Sequence, residues 1–103
     1  MEQILVELKK SIEEIAGDRL IKVVLYGSRA RGDYDDNSDT DIAIIVRDLS
    51  RELKHRILSR VADIEFEYLH SLSTLVISEE DLRLLRNRER RIALDIEREG
   101  IPL

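Results

Sequence analysis

Leu20-Ile21-Lys22-Val23-Val24-Leu25-Tyr26-Gly27-Ser28-Arg29-Ala30-Arg31-Gly32-Asp33, closed a few residues on by Ser38-Asp39-Thr40-Asp41-Ile42-Ala43-Ile44-Ile45-Val46, is the stretch on which the reading turns. The run 20–26 is mostly apolar, β-branched and too short for a helix, so it predicts a buried strand that stops at Gly27. The run 41–46 predicts a second strand, buried on both faces beyond its first residue. Between them lies a polar, Gly-containing segment with Asp33, Asp35, Asp36, Asp39 and Asp41 within nine positions.

Three physical readings compete for that segment. Gly27 and Gly32 have the G-x-x-x-x-G spacing of a P-loop, but Asp33 and Tyr34 stand where Lys and Ser or Thr are needed. A calcium loop starting at Asp33 has Asp35 and Asn37 in step, yet Ser38 holds the glycine position and Ile44 the bidentate Glu position. The third reading takes Gly27-Ser28 as the start of a short helix whose free backbone N–H groups and hydroxyl hold phosphate oxygens. On extended backbone Asp39 and Asp41 project from the same face, and two convergent carboxylates suit a divalent cation. Magnesium is the natural choice, being shared readily between carboxylates and substrate phosphates. Arg29 and Arg31 either neutralise the remaining phosphate charge or pair with neighbouring Asp.

Outward from this segment, Leu5, Leu8, Ile12 and Ile15 keep helical spacing over about 2–16, with Gly17 placed to cap in the left-handed region. Leu53, Ile57, Val61, Ile64 and Tyr68 predict an amphipathic helix from Ser50 to about Tyr68. Its end is ambiguous, because 63–68 also alternates with period two and could extend a strand. Leu72–Ile77 reads as a third strand. Ser78-Glu79-Glu80-Asp81 resembles an N-cap with an acidic first turn, opening a helix that ends by Gly100 with a break near Asn87. No repeat, low-complexity tract or linker interrupts the order. It predicts one α/β domain over 1–103, a small mixed β-sheet with helices packed on it.

Composition narrows the function classes. At 103 residues, 43% hydrophobic, the chain supports one core, and no apolar run approaches the roughly 20 residues that span a bilayer. MEQILVELKK has no basic leader followed by a cleavage-like site, so a soluble cytoplasmic protein without membrane association is expected. The absence of Cys removes disulfides, thiolate metal sites and Cys nucleophiles. A net charge of -5 disfavours bulk binding to nucleic acid. Asp33, Asp35 and Asp36 read as solvent-facing turn residues, His55 and His70 as isolated histidines, the Arg-rich helix after Asp81 as a solvated face, and Tyr26 as packing.

LYGSRARGD followed by SDTDIAIIV, with Gly27-Ser28, ten intervening residues and then Asp39-x-Asp41, resembles the DNA polymerase β-like nucleotidyltransferase superfamily. It is most similar to the minimal nucleotidyltransferases, small MntA-like proteins that are often the antitoxin partners of HEPN-domain toxins. Glu97-x-Glu99-Gly100-Ile101 is similar to the ending of many of them. The resemblance implies the polymerase β palm-like fold, with Gly27, Ser28, Arg29 and Arg31 at the nucleotide. It implies Asp39 and Asp41 as the catalytic, magnesium-binding pair, ATP or another nucleoside triphosphate as substrate, and transfer to a hydroxyl on a partner. A HEPN-domain protein is the expected partner, with a second copy of the chain as an alternative. Family members usually carry a third carboxylate on the next strand, where this chain has none, and Ser73 occupies or neighbours its place. Glu65 or Glu67 substitutes only if the ambiguous stretch reaches the site. The rival reading is a nucleotide-binding regulatory subunit that has lost turnover.

Overall fold

In the computed structural model, which describes residues 2–33, 35 and 39–103, four strands form one mixed sheet in the order β3-β2-β1-β4. The strands are β1 (Leu20–Tyr26), β2 (Thr40–Val46), β3 (Leu72–Ser78) and β4 (Ile101–Pro102). β1 and β2 are antiparallel with Tyr26 opposite Asp41, whereas β2 and β3 are parallel with Asp41 opposite Ser73. The parallel pair requires a crossover, supplied by helix α3 (Arg51–Tyr68).

Helices cover both faces, which is why β2 is nearly all apolar. On one face, Ile42, Ile44 and Val46 pack with Leu8 and Ile12 of α1 (Glu2–Ala16) and with Ile57, Val61 and Ile64 of α3. On the other, Ala43 and Ile45 pack with Leu82 of α4 (Glu79–Asn87) and Ala93 and Ile96 of α5 (Arg91–Glu99). A one-turn helix, α2 (Ser28–Arg31), joins β1 to the loop before β2. Ser50 and Ser78 cap α3 and α4, accepting from Leu53 N and Asp81 N at 3.0 Å each. Gly17 takes the left-handed conformation expected of it, at φ +57.

The ambiguous end of α3 is helical. Ile64 is fully buried, three residues after Val61, while Phe66 is 81% exposed, so burial follows period 3.6 and not two. The helix stops at Leu69, whose left-handed φ of +48 turns its N–H back onto the carbonyls of Glu65 and Phe66. The break after Asn87 is also present. β4 goes beyond the sequence reading, which ended the chain on a helix. Its two residues pair with Val24 and Leu25, and Leu103 N donates to Val23 O at 2.8 Å. A two-residue edge strand has no periodicity to read. No helix among the described residues is long and apolar enough to cross a membrane.

Candidate functional site

The end of β1 and the starts of β2 and β3 meet at one end of the sheet. Alternation along the strands puts Tyr26, Asp41 and Ser73 in one row on the face covered by α4 and α5. β1 leaves this row through Gly27, at φ +76 and ψ −155, a region essentially closed to residues with a side chain. A Cβ on Gly27 would overlap Asp41 Oδ2. Glycine thus lets the backbone turn directly against the carboxylate. α2 begins immediately, with Arg31 N bonded to Gly27 O at 3.1 Å and Gly32 N to Ser28 O at 2.9 Å, and ends on left-handed Gly32.

Asp41 is half-buried at this edge and Asp39 is exposed. Burial pushes the Asp41 carboxyl above the usual carboxylate range, a hydrogen bond from the Ser73 hydroxyl draws it back, and the Asp39 charge raises it again, with Arg31 opposing. An Asp41 carboxylate disfavoured by burial and by the neighbouring Asp39 charge makes a site whose energy falls when a cation enters. Tyr26 is held above its ordinary value by burial first, then by the charges of Asp41 and Asp95. It packs with the α4/α5 core, as the sequence suggested.

Ser28 and Arg29 are half-buried around α2. Arg31 remains 42% exposed and is shared between two acids, Asp33 Oδ2 at 3.1 Å and Glu99 Oε2 at 2.9 Å. The first pair is the local one that the sequence left open. The second spans 68 positions and ties the C-terminal segment to α2 at the site. Sequence reasoning singled out Glu99 only through its motif. No spacing could reveal its partner, since the two meet only because α5 and β4 return along β1.

Glu65 and Glu67 lie on α3 and are otherwise engaged. Glu65 Oε2 accepts from Leu72 N at 2.9 Å and Glu67 Oε1 pairs with Arg60 at 3.4 Å. Neither completes a trio with Asp39 and Asp41. Among the described residues no cluster of three or more His, Asp or Glu is placed to hold a metal. His55 is exposed on α3, and Asp33 and Asp35 are exposed as expected, while Asp36 lies outside the described residues. His70 joins no metal cluster among the described residues, and its Nε2 lies 3.0 Å from the hydroxyl of Thr40, the residue between Asp39 and Asp41.

Known proteins agree with this architecture. Over 47 residues the chain is 49% identical to a candidate protein adenylyltransferase of Methanocaldococcus jannaschii, covering 46% of this chain and 48% of that one. A second such protein from the same organism is 31% identical over 88 residues, covering 82% of this chain and 59% of its own length. The chain therefore spans about half the length of these curated relatives. A crystal structure of a toxin-antitoxin with AMP-PNP superposes with a TM-score of 0.55, covering 93% of this chain and 69% of that one, and at 18% identity it speaks for the fold alone. The model of the family Polymerase beta, Nucleotidyltransferase matches residues 7–103, and the chain belongs to that family.

Proposed function

We propose that the chain is a single nucleotidyltransferase domain that moves a nucleoside monophosphate, AMP from ATP, onto a hydroxyl of a partner protein, and that it serves as the antitoxin to a HEPN-domain toxin in the cytoplasm. The observation that carries this is the Asp41 carboxylate packed against Gly27 and hydrogen-bonded by Ser73, with Asp39 beside it. Gly27, Ser28 and Arg29 form the nucleotide cradle in this reading. Arg31 contributes to it by exchanging a carboxylate partner for phosphate, a stronger charge-assisted acceptor. The adenylyltransferase names of the archaeal relatives support the choice of AMP, and the fold shared with the toxin-antitoxin structure with AMP-PNP is compatible with that nucleotide and partner.

Magnesium fits the donor set. Two carboxylates with no third acid beside them among the described residues make a poor all-protein cage and a good half-site for a hard cation that takes its remaining oxygens from polyphosphate and water. Asp39 and Asp41 would hold it, and its chemistry there is to neutralise the triphosphate and polarise the α-phosphorus. The residues do the rest. Ser28 and the backbone beside Gly27 would hold the distal phosphates, next to the Asp41 carboxylate that Gly27 lets the backbone approach. The acceptor oxygen bonds to the α-phosphorus, the bond to pyrophosphate breaks, and the hydroxyl proton leaves to water. Ser73, having no carboxylate, cannot take it.

That last feature favours a second reading, a nucleotide-binding antitoxin with little turnover. General-base assistance typically contributes about 10²- to 10⁴-fold, so its loss slows transfer while leaving binding intact. In this reading the acceptor surface belongs to the partner or to a second copy of the chain. The test is transfer of label from α-labelled ATP to the protein encoded alongside, together with melting curves. ATP at 100 times its dissociation constant adds about 2.7 kcal/mol with magnesium and far less in excess EDTA. Label on the partner supports the transferase, and magnesium-dependent stabilisation without label supports the binding subunit. Equal stabilisation in EDTA refutes both.

A further inference from the structure

Thr40 stands between the two aspartates, and its side chain points to the sheet face opposite Asp41. It is fully buried, one of two buried polar residues among those described, at a strand position where valine would satisfy the core. Burying a hydroxyl is unfavourable unless it is hydrogen-bonded. Its bond at 3.0 Å goes to His70 Nε2, in the turn between α3 and β3. That turn is itself held twice by Glu65: His70 N donates to Glu65 O at 3.1 Å, and Leu72 N donates to Glu65 Oε2 at 2.9 Å. Leu72 is the residue opposite Thr40 in the β2–β3 register. A continuous set of bonds therefore runs from the last turn of α3 through His70 to the backbone that carries Asp39 and Asp41.

We propose that Thr40 and His70 are positioning residues, which fix the first two residues of β2 so that Asp39 and Asp41 present their carboxylates to one cation. This rests on the reading of that pair as the cation site. Asp39 precedes β2 and has no ladder partner of its own, so the peptide joining it to Thr40 is set by where Thr40 is anchored. A one-sided ladder leaves rotation about the strand axis at its end. The bond on the opposite face from Asp41 removes it. Glu65, which the sequence offered as a stand-in third carboxylate, has a different part in this arrangement: it shapes the turn that delivers His70.

The test is direct binding of manganese, a paramagnetic stand-in for magnesium, read by EPR with and without a non-hydrolysable ATP analogue. The proteins are the wild type, Thr40→Val, Thr40→Ser, His70→Leu, His70→Gln and the double variant Asp39→Asn/Asp41→Asn. Loss of a group that orients a metal ligand typically weakens metal affinity 10- to 100-fold. We expect about tenfold weaker manganese binding in Thr40→Val and His70→Leu, and near wild-type affinity in Thr40→Ser and His70→Gln, which can remake the bond. Nucleotide binding in EDTA should stay unchanged in all four. If Thr40→Val folds poorly, His70→Leu, altered in a half-buried turn, provides the same comparison. Wild-type manganese affinity in both apolar variants, with a lowered melting temperature, would make the bond merely structural and overturn the proposal. Manganese binding that survives in the double aspartate variant would instead overturn the cation-site reading, and the positioning role with it.

Discussion

Replacing Gly27 with alanine tests the central feature of the site, and its cost can be worked from two independent contributions. The backbone at φ +76 and ψ −155 lies where only glycine is at ease, and a side-chain-bearing residue held in such a region costs on the order of 1–3 kcal/mol. The new Cβ also overlaps Asp41 Oδ2, so ordinary contact requires the carboxylate to retreat by roughly 1 Å. Gly17→Ala is the control, since Gly17 also has positive φ but nothing near its Cβ position. For a domain of this size each kcal/mol lowers the melting temperature by about 4–8 °C. Both variants should therefore melt lower. Only Gly27→Ala should also lose activity, because a misplacement of about 1 Å at reacting groups costs on the order of 10²-fold. The assays are urea unfolding followed by circular dichroism, and magnesium-dependent ATP stabilisation of the folded protein. A Gly27→Ala variant within about 0.5 kcal/mol of wild type, binding magnesium-ATP as before, would refute the view that glycine is there to let the backbone meet the carboxylate.

Other outcomes follow from the same geometry. Because burial and the Asp39 charge hold the Asp41 carboxyl above its unfolded value, the folded state loses stability as pH rises through the ordinary carboxylate range and carries the full penalty above the raised value. Asp41→Asn should therefore match or exceed wild-type metal-free stability at pH 7, by at most about 1 kcal/mol at so open a site, and the gain should vanish in acid. A marked fall at pH 7 would give Asp41 a structural role. Ser73 is in register with Asp41, so Ser73→Asp should raise labelling of the partner by about 10²-fold or more, while Glu65→Gln and Glu67→Gln leave turnover in place; robust wild-type turnover abolished by either Gln variant would reverse that assignment. Glu99→Gln should tighten magnesium-ATP binding by removing a competitor for Arg31, measured by calorimetry at low salt, and unchanged affinity would make the Arg31–Glu99 pair a tether alone.

Local chemistry was enough to define the frame. β1 and β2 announce themselves because both faces of a central strand are covered, so their residues are mostly apolar, β1 carrying Lys22 and β2 being continuous from Ile42. α1 and α3 show in period 3.6, and α3 and α4 begin at serines whose side chains cap them. The Gly27-Ser28 and Asp39-x-Asp41 spacing marked the candidate site because it states local requirements: a backbone position that tolerates no Cβ, and two carboxylates on one strand edge.

Everything that depends on what packs against what had to wait for the fold. Period two and period 3.6 are both legible over residues 63–68, and only the burial of Ile64 with exposure of Phe66 decided for the helix and withdrew Glu65 and Glu67 from the site. Whether Ser73 faces Asp41 is a question of strand phase, and a slip of one residue would have pointed it away. β4, the Arg31–Glu99 pair and the Thr40–His70 bond join residues far apart in the chain, and no local pattern encodes them. The sequence determined which groups are available at this end of the sheet, because spacing and residue type act over a few positions. The tertiary structure decided which of them meet, because register, crossover and the return of the C-terminal segment are properties of the whole packed chain.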